Sequence, residues 1–206
     1  MFPLALLNKS EQVGNVGVVR LSLPFATNAT DTSGNAIPTY TAQGTPTYLD
    51  GSLLLDSTDV IATGTTNGEV QSLLNTAGKG WQLEFDVQMI ATANRRIFCK
   101  SIFTSDAVPN IQLEQSTGIL RFRSYLNQDV FTVNVGLDMS ADFFNVKIVQ
   151  TTNTDYTKLY INNNLIATAV INGDVFGNST YQAGFVFGTG SNGTGFKIKN
   201  FKFYTT

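Results

Sequence analysis

Histidine is absent from this 206-residue sequence, and cysteine occurs once, at Cys99. The first absence excludes Ser-His-Asp triads, Cys-His pairs and imidazole metal sites, leaving carboxylates, lysine, tyrosine and one thiol for any chemistry. The second excludes an internal disulfide, so the fold must rest on packing. Charge is scarce as well: 14% of the residues are charged, against roughly 25% in an average soluble domain. The net charge of −2 supplies no positive field to hold a phosphate backbone, so nucleic acid is a poor candidate partner and acidic polymers as a class are disfavoured too. No stretch approaches the roughly 18 apolar residues of a membrane-spanning helix. The apolar start Met1-Phe2-Pro3-Leu4-Ala5-Leu6-Leu7 lacks the basic leader and small-residue cleavage pattern of a signal peptide. Residues 1–16 are expected to form a strand or docking arm.

What the sequence does have is period two. In Trp81-Gln82-Leu83-Glu84-Phe85-Asp86-Val87-Gln88-Met89 every odd position is apolar and every even one polar, the pattern of a strand with one face in a core. Similar runs cover 19–25, 96–104, 111–115, 118–125, 130–135, 144–151, 158–161, 165–171, 183–188 and 196–204. About eleven strands require two sheets or a barrel. The expectation is therefore an all-β, antiparallel two-sheet jelly-roll sandwich forming one domain over 1–206. Clusters of Gly, Asn, Asp, Ser and Thr punctuate the runs, and Asn162-Asn163-Asn164 predicts a tight hairpin because asparagine enters the left-handed region readily. Residues 68–75 and Met139–Phe143 each have the spacing of a single helical turn. Residues up to about 79 alternate weakly and carry longer loops. In the last run, Phe196 and Ile198 share one parity while Phe201 and Phe203 share the other, so a one-residue bulge near Lys199 or Asn200 is needed to bury all four.

The order of these segments resembles the concanavalin A-like lectin and glucanase superfamily, in particular its laminin-G-like branch. The resemblance is carried by Leu21-Ser22-Leu23-Pro24-Phe25, Asp31-Thr32-Ser33-Gly34-Asn35, Thr47-Tyr48-Leu49-Asp50-Gly51 and Leu53-Leu54-Leu55-Asp56 near the start. Leu83 to Val87 continues it in the middle, and 144–148, 158–163, 184–188 and 195–204 follow downstream. Two departures are conservative. Phe143 or Phe144 replaces a Trp often found ahead of the strand at Val146, and the three Asn replace an Asp-Gly turn.

Glucanases of that superfamily carry Glu-x-Asp-x-Glu on one strand, and Glu84-Phe85-Asp86-Val87-Gln88 resembles it except at the third position. Glutamine cannot donate the proton that the general acid must supply. The resemblance thus implies no enzyme here. Glu84, Asp86 and Gln88 are expected on the polar face of a half-buried strand, with a glycan site as their alternative role. Arg121, Arg123 and Tyr125 share a face opposite Leu120 and Phe122, and form a second polar cluster that is either a solvated sheet face or a glycan site. Sugar platforms would come from the seven tyrosines, since Trp81 is in phase with the core. Laminin-G-like domains often hold Ca²⁺ through loop oxygens, which the resemblance extends to Asp31, Asp50, Asp56, Asp59, Asp106 and Asp138. No spacing selects a set among them, and each is equally a turn former or cap. The loops 188–190 and 192–195 are glycine-rich turns, and Cys99 is expected to be a buried, inert thiol.

The fold resembles extracellular adhesion modules, yet the sequence shows neither an export signal nor a disulfide framework. Release by lysis reconciles the two. The sequence is accordingly expected to be a non-catalytic bacteriophage virion surface protein: a decoration, fibre or tail adhesin. It would dock on other virion proteins or copies of itself and contact host glycans. The alternatives are a free lectin-like module or weak glycoside hydrolase relative, and an architectural subunit with no ligand.

Overall fold

The computed structural model describes residues 17–57, 59–64, 80–90, 94–99, 110–124, 128–150, 156–170, 185–188 and 194–206. Among these residues every regular element is a β-strand. They run β1 (Val18–Leu23), β2 (Thr39–Gln43), β3 (Thr47–Leu49), β4 (Ser52–Ser57), β5 (Val60–Thr63), β6 (Trp81–Met89), β7 (Asn94–Cys99), β8 (Asn110–Glu114), β9 (Ile119–Arg123), β10 (Asp129–Asn134), β11 (Phe144–Gln150), β12 (Tyr156–Ile161), β13 (Asn164–Val170), β14 (Val186–Phe187) and β15 (Thr194–Thr205). They form two antiparallel sheets. The first has the order β13-β12-β11-β6-β15-β4-β3, with β1 also paired to β15, and the second has the order β10-β9-β8-β7-β14-β5-β2. The architecture is an antiparallel two-sheet jelly-roll sandwich, as the alternation predicts.

Alternation decides which side chains meet between the sheets. Trp81, Leu83, Phe85, Val87 and Met89 on β6 are buried in the core, as are Leu120 and Phe122 on β9. The Trp81 indole meets the Phe122 ring edge-on at 6.2 Å. From the second sheet, Phe185 and Phe187 insert between Phe201 and Phe203 of the first, with edge-to-face centroids 4.8 to 5.3 Å apart. Each such pair adds about 0.5–1.5 kcal/mol beyond area burial.

The bulge in β15 lies where the parity change demands it. Its register against β6 shifts between Lys199 and Lys202, and Asn200 has a left-handed φ of 55°. Phe196, Ile198, Phe201 and Phe203 are all fully buried as a result. The same shift divides one side of β15 between two partners: β4 pairs with Thr194–Ile198 and β1 with Phe201–Thr205. Asn200 N–H donates to Pro24 O at 3.1 Å, just beyond the end of β1.

Two hairpins turn on adjacent residues with positive φ, the geometry that matches strand twist. Asn162 (49°) and Asn163 (64°) join β12 to β13, as expected, and Asp50 (52°) with Gly51 (71°) joins β3 to β4. Met139–Phe143 forms a hydrogen-bonded turn and no helix. Asp138 Oδ1 accepts from Ser140 N–H at 2.9 Å, while Met139 plugs into the core. The helical turn expected at 68–75 lies outside the described residues, as do residues 1–16. Strands β2 and β5 were not visible as alternating runs. All four positions of β5 are buried, because Val60 and Ala62 pack with Val186 on the side away from the main core.

Candidate functional site

Glu84, Asp86 and Gln88 project from the outer face of the first sheet, since their odd-numbered neighbours fill the core. In register, Lys147 of β11 and Lys202 of β15 flank Glu84, while Asn145 and Lys199 flank Asp86. The carboxylates are nevertheless held by neutral donors. Glu84 Oε1 accepts from the Tyr204 hydroxyl at 3.0 Å and Oε2 from Gln82 Nε2 at 3.0 Å. Asp86 Oδ1 accepts from Asn145 Nδ2 at 3.0 Å and Oδ2 from Asn200 Nδ2 at 2.7 Å. Gln88 Nε2 donates to Ser140 O at 3.0 Å and ties the 139–141 turn to the sheet. Every carboxylate oxygen of the pair therefore has a protein donor, and Asp86 pins the bulge residue.

Tyr204 lies on this outer face yet is 2% exposed. Burial, then the Glu84 charge and the hydrogen bond to it, raise its phenol well above the ordinary tyrosine range. It acts as a neutral donor across the whole physiological range. The lysines are arranged differently. Lys199 Nζ sits 4.1 Å from the centroid of the Phe143 ring, and Lys147 Nζ donates to Asn163 Oδ1 at 3.1 Å.

Arg121 and Arg123 occupy the outer face of the second sheet, with Leu120 and Phe122 on its core side. Both guanidinium groups address one carboxylate of β10. Arg123 Nε is 2.8 Å from Asp129 Oδ1 and Arg121 Nε is 3.7 Å from Oδ2, while Thr132 Oγ1 donates to Oδ2 at 3.2 Å. Asp129 is 43% exposed, so these pairs are worth under about 1 kcal/mol each. Tyr125 lies outside the described residues. The two predicted polar clusters thus stand on different sheets, facing away from each other, and do not form one site.

Trp81 is fully buried, and its indole N–H donates to Gln150 Oε1 at 2.6 Å, so it is not a sugar platform. Tyr40 and Tyr156 expose more of their surface, at 41% and 56%. The β7 backbone places Cys99 opposite Val186 and Asn110.

Among the described residues no group of three or more His, Cys, Asp or Glu side chains is arranged to hold a metal ion. Asp31, Asp59 and Asp138 accept hydrogen bonds from backbone N–H groups. Asp31 Oδ1 accepts from the N–H groups of Ser22 and Ser33, and Oδ2 from Ile37 N–H and the Ser33 hydroxyl, all at 2.9 to 3.0 Å. It clasps the 31–37 loop onto β1. Replacing Asp31 with Ala orphans three backbone donors, and unfolding by urea should show a loss of about 3 kcal/mol, as removal of charge-assisted bonds at a half-buried site implies. A loss below about 1 kcal/mol would show that water substitutes for the carboxylate.

Asp59, 6% exposed, accepts from Thr45 N–H at 2.9 Å and Asp56 N–H at 3.3 Å. Gly44 makes this approach feasible: its φ is +75°, and a Cβ there would collide with Asp59 Oδ1. Gly44→Ala should therefore lower the thermal midpoint, with strain of about 1 kcal/mol from φ alone and the displaced carboxylate added to it. An unchanged midpoint would contradict this packing. Asp106 lies outside the described residues.

No family model matches this chain, and no curated protein matches it either. Solved structures do match. The receptor-binding domain of botulinum neurotoxin mosaic serotype C/D aligns with a TM-score of 0.65 at 16% identity, covering 91% of this chain and 47% of that one. The binding domain of botulinum neurotoxin DC, in complex with rat synaptotagmin II, gives 0.65 at 17% identity over 90% and 48%. The same domain in complex with SialylT gives 0.63 at 16% over 90% and 47%. The likeness is one of fold. The chain spans about half the length of the neurotoxin domains it matches, and those neighbours are binding domains.

Proposed function

We propose that this chain is a non-catalytic carbohydrate-binding domain of the concanavalin A-like, laminin-G-like kind, a single unit over 1–206 carried on the surface of a bacteriophage virion. The observation that carries the binding role is the jelly-roll fold shared, over nine-tenths of the chain, with receptor-binding domains, one of which was solved with SialylT. A non-hydrolytic role is supported by Gln88 in the general-acid position and by the full engagement of the Glu84 and Asp86 oxygens. A glycan array on the purified protein, with and without Ca²⁺, tests the reading. Specific binding without release of reducing sugar is expected, while hydrolysis of any bound polysaccharide would overturn it.

Docking on a larger assembly, through other virion proteins or copies of the chain, is supported by β13. Among the described residues it pairs only with β12. It carries no charge, and Leu165 and Val170 are 51% and 68% exposed, an edge without the usual guards against strand addition. If the array stays blank while residues 1–16 prove necessary for association, the architectural subunit becomes the better reading. If glycan binding survives deletion of 1–16 and no association is seen, a free lectin does.

A further inference from the structure

The lysines on the outer face of the first sheet are not neutralised by its carboxylates: Lys147 Nζ donates to the neutral Asn163 Oδ1 and Lys199 Nζ lies over the Phe143 ring. The bulge at Asn200 that returns Phe201 and Phe203 to the core also returns Lys202 to the face that carries Lys197 and Lys199. Lys147 joins them from β11, on the far side of Glu84. With strands about 4.8 Å apart, Lys147 and Lys202 are separated by about 10 Å across the sheet. Among the described residues no carboxylate is ion-paired with any of these four lysines. The lysines outnumber Glu84 and Asp86, whose oxygens are already taken by Tyr204, Gln82, Asn145 and Asn200. Asp56 lies at the far rim of the face, on β4 opposite Gly195. A net charge of −2 for the chain conceals this segregation.

We infer that this face, between β11 and β15, is the glycan-bearing surface, and that its ligand is an acidic saccharide whose carboxylate or sulfate groups are held by Lys147, Lys199 and Lys202. The inference rests on the carbohydrate-binding reading above and adds the face and the ligand class. Ammonium groups are compact point charges that suit sulfate and carboxylate oxygens. Neutral donors such as Asn145 and Asn200 lie beside them and are oriented by Asp86, as a sugar-contacting face requires.

The test is a calorimetric titration of the purified chain with a sulfated oligosaccharide, a sialylated oligosaccharide and their desulfated and desialylated forms, repeated with 20-base-pair duplex DNA. Either acidic sugar is expected to bind more tightly than its neutral form, and to weaken at least tenfold in the Lys147→Gln, Lys199→Gln, Lys202→Gln triple variant. The triple Arg variant, which keeps the charges, should retain binding, and the single variant Lys202→Gln serves if the triple does not fold. Binding should also weaken as salt is raised from low to high. Equal affinity for neutral and acidic forms, loss on Arg121→Gln instead, or equal binding of the duplex overturns the inference while leaving a carbohydrate reading intact in the first two cases. Absence of binding to every sugar overturns both.

Discussion

Deleting Asn200 should leave the chain unable to fold. With the extra residue gone, β15 runs at a single parity, so Phe196 and Ile198 or Phe201 and Phe203 must leave the core. Losing burial of two large apolar side chains removes about 1.5–3 kcal/mol each. In the second case Lys202 would also turn inward among Phe185 and Phe201, and an unpaired buried ammonium costs several kcal/mol more. The total rivals the roughly 5–15 kcal/mol that hold a domain together. Far-UV circular dichroism and urea titration would read the outcome, and a cooperative transition within about 1 kcal/mol of the parent would show that the bulge can be redistributed. Asn200→Gly should be far milder, because glycine accepts the φ of 55° and forfeits only the 2.7 Å bond to Asp86, about 1–2 kcal/mol.

The bulge was legible because the core imposes a parity rule on a single continuous strand. The same holds for β6 and β9, where one face meets the opposite sheet and the other does not, and for Asn162-Asn163, where two left-handed residues leave little choice of turn. Alternation fails where its physical premise fails. Strand β5 is buried on both faces, so Val60, Ile61 and Ala62 show no period. Among the described residues strand β2 ends its sheet, and its side chains are exposed or half-buried throughout.

For the candidate site, alternation gave orientation but not company. It put Glu84, Asp86 and Gln88 outward on one strand and Arg121 and Arg123 outward on another. It could not say that β6 runs between β11 and β15 while β9 belongs to the other sheet, because pairing order is set by contacts distant in sequence. Of the four partners that occupy the carboxylates, Gln82 is two residues from Glu84, but the other three lie 59, 114 and 120 residues away along the chain. The lysine face shows the middle case. Lys197, Lys199 and Lys202 can be placed together from the sequence once the bulge is drawn, whereas Lys147 joins them only through the β11–β6 register.

Trp81→Ala is expected to cost about 3–5 kcal/mol, the range for removing a fully buried aromatic ring, and to strip Gln150 Oε1 of its 2.6 Å indole donor. Gln150 is buried directly across the register from Trp81, so loss of that donor adds about 1–3 kcal/mol of desolvation cost. Trp81→Phe separates the contributions: the ring still meets Phe122, but the polar contact is gone, and a loss of about 1–3 kcal/mol should remain. Trp81 is the single tryptophan, so its own fluorescence vanishes in both variants and the urea transition must be followed by far-UV circular dichroism. A loss under about 1 kcal/mol for Trp81→Ala would mean that the slot between the sheets is loosely filled. The Phe variant also discriminates between core and site. An indole with no exposed surface cannot stack on a saccharide, so glycan affinity should be unchanged at temperatures where the variant stays folded. A selective loss of affinity there would place the sugar at the Trp81 end of β6 and away from the lysines.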